Sequence, residues 1–449
     1  MLKPYNEYRY FGLPWLEEIP SHWTMMRNKN VLIEKKEVVG SSANNYLLLS
    51  LTLNGVIARD MINAKGKFPK DFNTYKVVEP GNLIFCLFDI DETPRTVGLS
   101  PLNGMITGAY DVFQPVNING KYLYYYYLSI DNVKGLKPLY TGLRKVINIQ
   151  TFLGTKLPVP PKEEQNQIVR FLDWKLSKIN KLIRVKKKQI VLLNEQKQVI
   201  INNAVTKGLD PNVPMKDSGI EWIGQIPQEW VVNRLKTQIS LSTSKKNRDN
   251  EFYVGMENIQ SWTGKYVSTT EIDSEGICNI FENNNILFGK LRPYLAKVYL
   301  TENNGVCSSE FLVLKNFNGI LRYMFYILLS YKFIDLVNSS TYGAKMPRAN
   351  WSFIGNCNIP IPSLEDQNRI ASYLDEKCYK IENLKGKIQN EIDLLYEYRT
   401  RLISDVVTGK VDVRDIEIPE YEADSDETID DEIDDNLVLD EEGGEMEVE

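Results

Sequence analysis

The chain contains a long internal repeat. Residues 157–210 return in register as residues 359–412, with 20 identical positions out of 54 and no gap. A shorter string, Gly12 to Trp23, returns as Gly219 to Trp230. Each half therefore has the same order: a tryptophan motif, a variable body, a proline motif and a helical stretch. Two copies are too few for a solenoid, so the repeat predicts a pseudo-twofold protein, like a dimer fused into one chain.

The stretch after each proline motif has the spacing of a long amphipathic helix. Apolar residues recur mostly at steps of three and four, and no proline interrupts before Pro211 or Pro419. We predict starts at Pro161 and Ser363 and stops at Gly208 and Gly409. The predicted apolar positions are Ile168, Leu172, Ile179, Leu182, Ile190, Leu193 and Ile200 in the first helix and Ile370, Leu374, Ile381, Leu384, Ile388, Ile392, Leu395 and Leu402 in the second.

Neither helix is stable alone with its apolar stripe exposed. Two stripes in one chain most simply bury each other as an antiparallel coiled coil, which would hold the two variable bodies at opposite ends. The alternative is that each helix packs on its own half. The expected segments are a first body (1–156), a first helix (157–210), a second body (211–358), a second helix (359–412) and an acidic, disordered tail (413–449).

The net charge of −6 hides a basic body. Residues 417–449 hold 17 acidic side chains and no Lys or Arg, so residues 1–416 carry an excess of 11 positive charges. This excess is compatible with a polyanionic partner. Five scattered cysteines without a Cys-x-x-Cys pair favour a reducing cytoplasm. We find no signal peptide and no apolar run long enough for a membrane span.

Several strings resemble the repeats of type I restriction-modification specificity subunits. They are Asp217-Ser-Gly-Ile-Glu-Trp-Ile-Gly-Gln-Ile-Pro and Ile359-Pro-Ile-Pro-Ser-Leu-Glu-Asp-Gln-Asn-Arg-Ile, each with its partner in the other half. Pro80 to Asp91 and Asn285 to Leu295 look like the central strand and loop of target recognition domains in that family. The segment Gly343 to Trp351 is similar too, and Gly142 to Asn148 is a looser match. The likeness covers residues 1 to about 412, and the acidic tail departs from the pattern.

The resemblance implies an α/β protein with two similar target recognition domains, related by pseudo-twofold symmetry and separated by an antiparallel two-helix coiled coil. Each domain would read half of a bipartite sequence in double-stranded DNA. The coil would dock two methylation subunits and, in the full complex, restriction subunits. S-adenosylmethionine, ATP and Mg²⁺ would belong to those partners, and this chain would hold no cofactor and contact no membrane.

Catalytic motifs are missing from the sequence. The one histidine, His22, argues against a His-based triad and excludes a His-Glu-x-x-His metal site. No phosphate-binding Gly-x-x-x-x-Gly-Lys-Ser/Thr loop and no Asn/Asp-Pro-Pro-aromatic methyltransferase motif occurs. Asp89, Asp91 and Glu92 could form a metal-dependent nuclease site, but Arg95 stands where such sites have a lysine. We therefore expect a non-catalytic subunit.

DNA reading needs Arg or Lys for guanine edges and several cations for phosphates. The best candidates follow an apolar strand in the second half, where a loop can enter a groove. A run around Lys245 is better suited to phosphates. The candidate DNA-contacting residues are Arg59, Lys65, Lys67, Arg95, Arg144 and Lys145 in the first half and Lys245, Lys246, Arg248, Lys290, Arg292, Tyr294, Lys297, Lys345 and Arg348 in the second.

Other interpretations stay open at this point. Any one of these cations could be a solvated surface charge. The run Tyr122 to Leu128 could stack on bases, but apolar helix packing explains it better, because a similar apolar run follows Asn318-Gly319. The basic string Arg184 to Lys188 fits a solvated helix face better than a phosphate contact. A different class of function is a protein-binding scaffold whose twin domains hold two copies of a partner without nucleic acid.

Overall fold

The computed structural model describes residues 3–59, 71–141, 145–248, 251–269, 276–343 and 346–421. The described residues form two compact units. The first unit contains the residues up to Lys186 and those from Asn390 onward, and the second contains Lys187–Gln389. Among the described helices, none combines the length and the apolar character that crossing a bilayer requires.

The first unit is mixed α/β. Its short strands alternate with turns and precede a tyrosine-rich helix. The strands are β1 (Tyr8–Leu13), β2 (Leu16–Pro20), β3 (Thr24–Arg27), β4 (Leu32–Lys35), β5 (Leu49–Thr52), β6 (Gly55–Ala58), β7 (Lys76–Val78), β8 (Leu83–Phe85), β9 (Val97–Leu99), β10 (Gly104–Ile106), β11 (Asp111–Pro115) and β12 (Lys156–Val159). The helices are α1 (Gly120–Asp131), α2 (Ile149–Gly154) and the long α3 (Lys162–Lys207), whose last part lies in the second unit.

The second unit has a similar order of elements, with two additional short helices among the described residues. The strands are β13 (Met215–Asp217), β14 (Gln225–Pro227), β15 (Val231–Arg234), β16 (Ser240–Leu241), β17 (Lys245–Asn247), β18 (Tyr253–Val254), β19 (Ile277–Phe281), β20 (Ile286–Gly289), β21 (Val298–Leu300), β22 (Gly305–Cys307), β23 (Phe311–Lys315) and β24 (Asn358–Ile361). The helices are α4 (Leu235–Gln238), α5 (Leu321–Leu329), α6 (Tyr331–Ser339), α7 (Trp351–Ile354) and the long α8 (Leu364–Val407), whose last part lies in the first unit.

The sheets show that the two units share one topology. The main sheet of the first unit has the order β4-β11-β8-β9, and that of the second has β16-β23-β20-β21, both antiparallel throughout. The pairs β1-β2 and β3-β12 correspond to β13-β14 and β15-β24. The predicted central strands are therefore central in fact, as β8 and β20. The expected twin-domain α/β fold with long helices is confirmed.

The long helices pair in antiparallel fashion within each unit. In the first unit Lys186 of α3 forms an ion pair with Glu391 of α8. In the second, Lys197 of α3 lies 2.6 Å from Glu382 of α8. As the residue number rises from 186 to 197 along α3, the number of the paired residue on α8 falls from 391 to 382. This is the order that an antiparallel coiled coil predicts. The helices also contribute to the globular cores, because Ile201 is fully buried in the core of the second unit.

The predicted ends of the two long helices are confirmed. The predicted apolar stripe of each helix needs one correction. Asp366 donates its backbone N–H to the Ser363 hydroxyl at 3.1 Å, and Gly208 and Gly409 adopt φ values of 75° and 76°. Leu182 and Leu384 occupy equivalent positions in the repeat, and they are 44% and 46% exposed. Their assignment to the buried stripe was wrong, because steps of three and four drift around a helix of 3.6 residues per turn. Ile183 is buried instead.

The tyrosine run of the first body is a core element. Tyr122, Tyr126 and Tyr127 on α1 are at most 2% exposed, and α5 buries the equivalent run in the second unit. Helix packing, rather than stacking on bases, is confirmed for these residues. The five cysteines are free thiols, and all but Cys378 are buried.

Candidate nucleic-acid interface

A loop leaves the central strand of the second unit, β20, and leads into the neighbouring strand β21. Residues 290–297 follow β20, and the turn begins at Arg292, which adopts a φ of 47°. The backbone N–H of Arg292 donates to the Pro347 carbonyl at 2.7 Å, and that of Ala349 donates to the Lys290 carbonyl at 3.0 Å. Loop 290–297 and the segment around Pro347 and Ala349, which the sequence singled out separately, are thus brought together by backbone hydrogen bonds.

The side chains of loop 290–297 differ in where they lie. Tyr294 is 42% exposed, and Lys290 and Arg292 are partly exposed. Lys297 donates its ammonium to the Met256 carbonyl at 2.9 Å, so it also braces the loop. The loop therefore presents two cations and a phenol ring at its surface, the residue types that suit contacts to bases and phosphates.

Arg348 has a protein partner. Its Nε lies 3.2 Å from Oε2 of Glu310, and its Nη2 lies 3.2 Å from Oε1. These hydrogen bonds raise the pKa of Arg348. The carboxylate fixes the guanidinium beside loop 290–297, since the Lys290 backbone N–H donates to the Glu310 carbonyl at 2.9 Å. Lys345 lies outside the described residues.

The first unit builds the equivalent loop after β8. Asp89 adopts a φ of 42°, in the place of Arg292. Its N–H donates to the Lys145 carbonyl at 2.8 Å, and the Ile147 N–H donates to the Leu87 carbonyl at 2.7 Å. A bridge between Phe88 and Val146 matches the one between Leu291 and Arg348. The segment whose sequence match is looser thus has the same backbone role in both units.

The first-unit loop carries more acidic groups. Lys145 lies 3.2 Å from Oδ2 of Asp91 and also forms an ion pair with Glu92. A hydrogen bond from Tyr140 at 2.9 Å, together with Lys145, holds the pKa of Asp91 below its usual range. Within the described residues no group of three or more His, Cys, Asp or Glu side chains is placed to hold a metal ion. Two carboxylates of the hypothetical nuclease site, those of Asp91 and Glu92, are engaged by Tyr140 and Lys145.

Arg95 is turned into the fold. Its Nη1 lies 3.0 Å from Oδ2 of Asp131, and only 14% of the Arg95 side chain is exposed. Asp131 is itself 2% exposed and also accepts the Thr96 hydroxyl at 2.6 Å. This network joins the loop after β8 to the end of α1.

The remaining candidates lie on other elements. Arg59 follows β6 and is partly exposed, whereas Lys65, Lys67 and Arg144 lie outside the described residues. Lys245 is exposed on β17, and its neighbour Lys246 forms an ion pair with Glu251. Arg248 packs over the ring of Tyr253, with its guanidinium carbon 4.6 Å from the ring centroid.

Sequence reasoning missed the residues that hold these charged side chains. Glu310, Tyr140 and Asp131 are the partners of Arg348, Asp91 and Arg95. They lie 36 to 49 positions away along the chain. No local motif marks such a pair, so a single sequence carried no signal for them.

Comparison with known proteins gives consistent matches. A family model described as Type I restriction modification DNA specificity domain matches residues 107–192 and 229–394, more than half of the chain. The MjaVIII type I restriction enzyme specificity subunit of Methanocaldococcus jannaschii is 25% identical over 62% of this chain and 66% of its own length. The EcoDI specificity subunit of Escherichia coli is 21% identical over 41% of this chain and 43% of its own length. The matches thus span less than two thirds of these relatives.

A solved structure agrees in fold. A chain from a study of complex assembly and conformational transition of the type I R-M system superimposes with a TM-score of 0.61. It is 13% identical, and the match covers 88% of this chain and 99% of that one. At this identity the likeness shows the fold alone. Together with the repeated topology and the family model, it leads to one conclusion: this chain belongs to the type I restriction modification DNA specificity domain family.

Proposed function

We propose that this chain is the DNA sequence-specificity subunit of a type I restriction-modification complex and that each unit contacts one half of a split DNA target. The observation that carries the proposal is the repeated loop after the central strand. In both units a residue with positive φ, Asp89 or Arg292, opens the loop, and a distant segment braces it by the same backbone hydrogen bonds. A chain of this family that builds one such loop twice is suited to read two short sequences.

The contacts divide by residue type. In the second unit Lys290, Arg292 and Tyr294 are proposed to approach bases, with Arg348 and Lys297 beside them. Lys245, Lys246 and Arg248 are proposed to contact phosphates. In the first unit we propose Arg59 and Lys145 as contacts and Arg95 as a residue that positions the loop through Asp131. On sequence grounds alone Lys65, Lys67, Arg144 and Lys345 belong to the same set.

The partners follow from the same proposal. Two methylation subunits carrying S-adenosylmethionine would dock on the long helices, and restriction subunits using ATP and Mg²⁺ would join the full complex in the cytoplasm. This chain would catalyse nothing itself. The bodies, residues 1–156 and 211–358, would read the DNA, and segments 157–210 and 359–412, which contain the long helices, would set the spacing. The expected tail, 413–449, starts too early, because Val413 is fully buried and Gln167 donates to the Val413 and Ile416 carbonyls. The names of the curated relatives support this division of labour.

The experiment that tests the proposal uses the chain purified with its methylation partner. Methyladenine mapped across a genome exposed to the complex should fall in one asymmetric motif of two blocks separated by unspecified bases, with one methylated adenine in each block. A single contiguous motif, or no motif, would contradict it. The scaffold alternative makes a different prediction: its apolar contacts would not weaken steeply as salt rises, whereas binding through several phosphates must.

A further inference from the structure

One residue of the N-terminal segment, Tyr5, is buried in a site at the start of α3. The carboxylate of Glu164 accepts hydrogen bonds from the hydroxyl of Tyr5 at 2.6 Å and the indole N–H of Trp23 at 2.8 Å. Its second oxygen lies 2.8 Å from Nε2 of His22. Tyr5 is only 4% exposed. The site thus binds one phenol by its hydroxyl and by the aromatic groups around its ring.

Further contacts show what this site requires of the residue inside it. The guanidinium of Arg414 lies over the ring of Tyr5, 5.0 Å from its centroid. The hydroxyl of Tyr8 donates to the Gly409 carbonyl at 3.0 Å. Burial raises the pKa of Tyr5, so its hydroxyl remains a donor at all working pH values. The ligand of this site is therefore a tyrosine with a cation against its ring.

The residues that surround Tyr5 have counterparts in the second unit. In the repeat register, Pro227 and Trp230 correspond to Pro20 and Trp23, and Asp366 corresponds to Glu164. A Cβ added at Gly208 would meet Trp230 at 3.2 Å, as one at Gly409 would meet Trp23 at 3.1 Å. In the second unit these walls enclose a cavity of about 510 Å³. The cavity is lined by Lys207, Gly208, Leu209, Asp210, Val213, Pro214, Pro227, Gln228, Glu229, Trp230, Asp366, Arg369 and Ile370.

The residue in line with Tyr5 is different in the second unit. The tryptophan motif aligns Tyr5 with Asn212 and Tyr8 with Met215, and neither replacement has a phenol. Asp366 keeps 39% of its side chain exposed; Arg369 lies 3.6 Å from its Oδ1, and the Ser363 hydroxyl donates to its Oδ2 at 3.0 Å. Asp366, Trp230 and Ile370 thus line this cavity with a carboxylate, an indole and an apolar side chain. The cavity has a size that suits a ligand, since ligand pockets span roughly 300–1,000 Å³.

We propose that this cavity of the second unit binds an extended segment of a protein partner that presents a tyrosine next to an arginine or lysine. The tyrosine ring packs against Trp230 and Pro227, and its hydroxyl donates to Asp366. The neighbouring cation lies near Glu229, which stands at the position of His22, and near Asp210, which adds negative charge. None of the residues that line this cavity belongs to the proposed DNA-contacting set.

The experiment uses the full chain and a labelled peptide that copies residues 3–10, Lys-Pro-Tyr-Asn-Glu-Tyr-Arg-Tyr, whose first tyrosine fills the site in the first unit. Fluorescence anisotropy should show saturable binding. Asp366→Asn should weaken it about tenfold, the loss expected when a charged acceptor is removed from a hydrogen bond. Glu229→Lys should weaken it as well, through repulsion of the peptide's cations. The matched control is Glu365→Gln, which removes an exposed charge from the same turn of α8 without lining the cavity.

The outcomes separate the possibilities. Binding that falls with Asp366→Asn and Glu229→Lys, is unchanged by Glu365→Gln, and is lost when the peptide tyrosines become alanine supports the proposal. Lack of saturable binding, equal binding by the alanine peptide, or equal effects of Asp366→Asn and Glu365→Gln would overturn it. Sedimentation of the chain alone adds one more test. Self-association that Asp366→Asn abolishes would show that the occupant is a second copy of the chain, and this too would overturn the proposal.

Discussion

Tyr122 and Tyr323 make the same hydrogen bonds in the two units. The hydroxyl of Tyr122 donates to the Pro158 carbonyl at 3.0 Å, and that of Tyr323 donates to the Pro360 carbonyl at 3.1 Å. Each hydroxyl also lies near the last turn of a long helix, 3.5 Å from the Val407 carbonyl for Tyr122 and 3.2 Å from the Val205 carbonyl for Tyr323. One phenol in each unit therefore joins the proline motif to the last turn of one long helix, α8 in the first unit and α3 in the second.

These bonds predict matched losses of stability. Tyr122→Phe and Tyr323→Phe should each lower the free energy of unfolding by about 1 kcal/mol, because buried carbonyls lose a donor. The double variant should lose about the sum, since the sites share no partner. Urea denaturation followed by circular dichroism measures the change, and Tyr10→Phe is the control because Tyr10 is 74% exposed. A loss at one tyrosine only would contradict the equivalence of the units.

A buried ion pair in the second unit predicts a larger loss. Lys197 is 3% exposed and donates to Glu382 at 2.6 Å and to the Trp262 carbonyl at 3.0 Å. Lys197→Met should cost about 3 kcal/mol of unfolding free energy, the low end for a broken buried pair. Lys385 moderates the loss, because it stays 3.3 Å from Glu382. Adding Glu382→Gln should recover part of it, and a further loss would contradict the account.

The same pair predicts a pH dependence. Burial acts to raise the pKa of Glu382, but hydrogen bonds and charge from Lys197 and Lys385 outweigh it, so the folded pKa lies below the ordinary value. A lowered folded pKa gives stability that is present above the ordinary pKa of about 4.3 and is lost as pH falls through the folded value. Urea midpoints of the natural chain and of Lys197→Met should therefore converge below about pH 4. A constant difference from pH 7 to pH 3 would contradict this.

The acidic groups in the loop after β8 predict how a substitution there affects DNA cleavage. Asp91→Asn should leave methylation and cleavage by the assembled complex intact, because Tyr140 and Lys145 already engage this carboxylate. Nonspecific DNA affinity at low salt should rise, since Lys145 loses one of its two acidic partners. Loss of cleavage with DNA binding retained would instead restore the nuclease interpretation.

The basic residues on β17 predict a change in the salt dependence of DNA binding. Lys245→Ala should weaken DNA binding about equally for specific and nonspecific sequences and should reduce the slope of log K against log salt by about 1. Lys216→Ala, at an exposed position of β13, is the control and should change neither. A loss of affinity confined to the specific sequence would show that Lys245 reads bases instead.

The sequence predicted the parts of the fold that follow from the internal repeat or from the helical spacing of apolar residues. The two bodies, the long helices, their glycine ends and the Ser363 cap all follow from local patterns. It failed at Leu182 and Leu384, where a count of apolar steps cannot show which side of a long helix faces its partner. Loops 290–297 and 343–348 were identified separately, but only the fold showed that they join. The ion pairs of Arg95 and Arg348 depend on tertiary contacts that one sequence does not encode locally.

The most direct test of the central claim compares methylation motifs of two variants. Complexes containing Arg292→Ala or Lys145→Ala would be mapped for methyladenine beside the natural chain. Arg292→Ala should relax the sequence preference in one block of the motif, at a cost of about 1–3 kcal/mol for a lost base contact, and leave the other block unchanged. Any change caused by Lys145→Ala should fall in the other block. Relaxation of both blocks by either variant would contradict the assignment of one block to each unit.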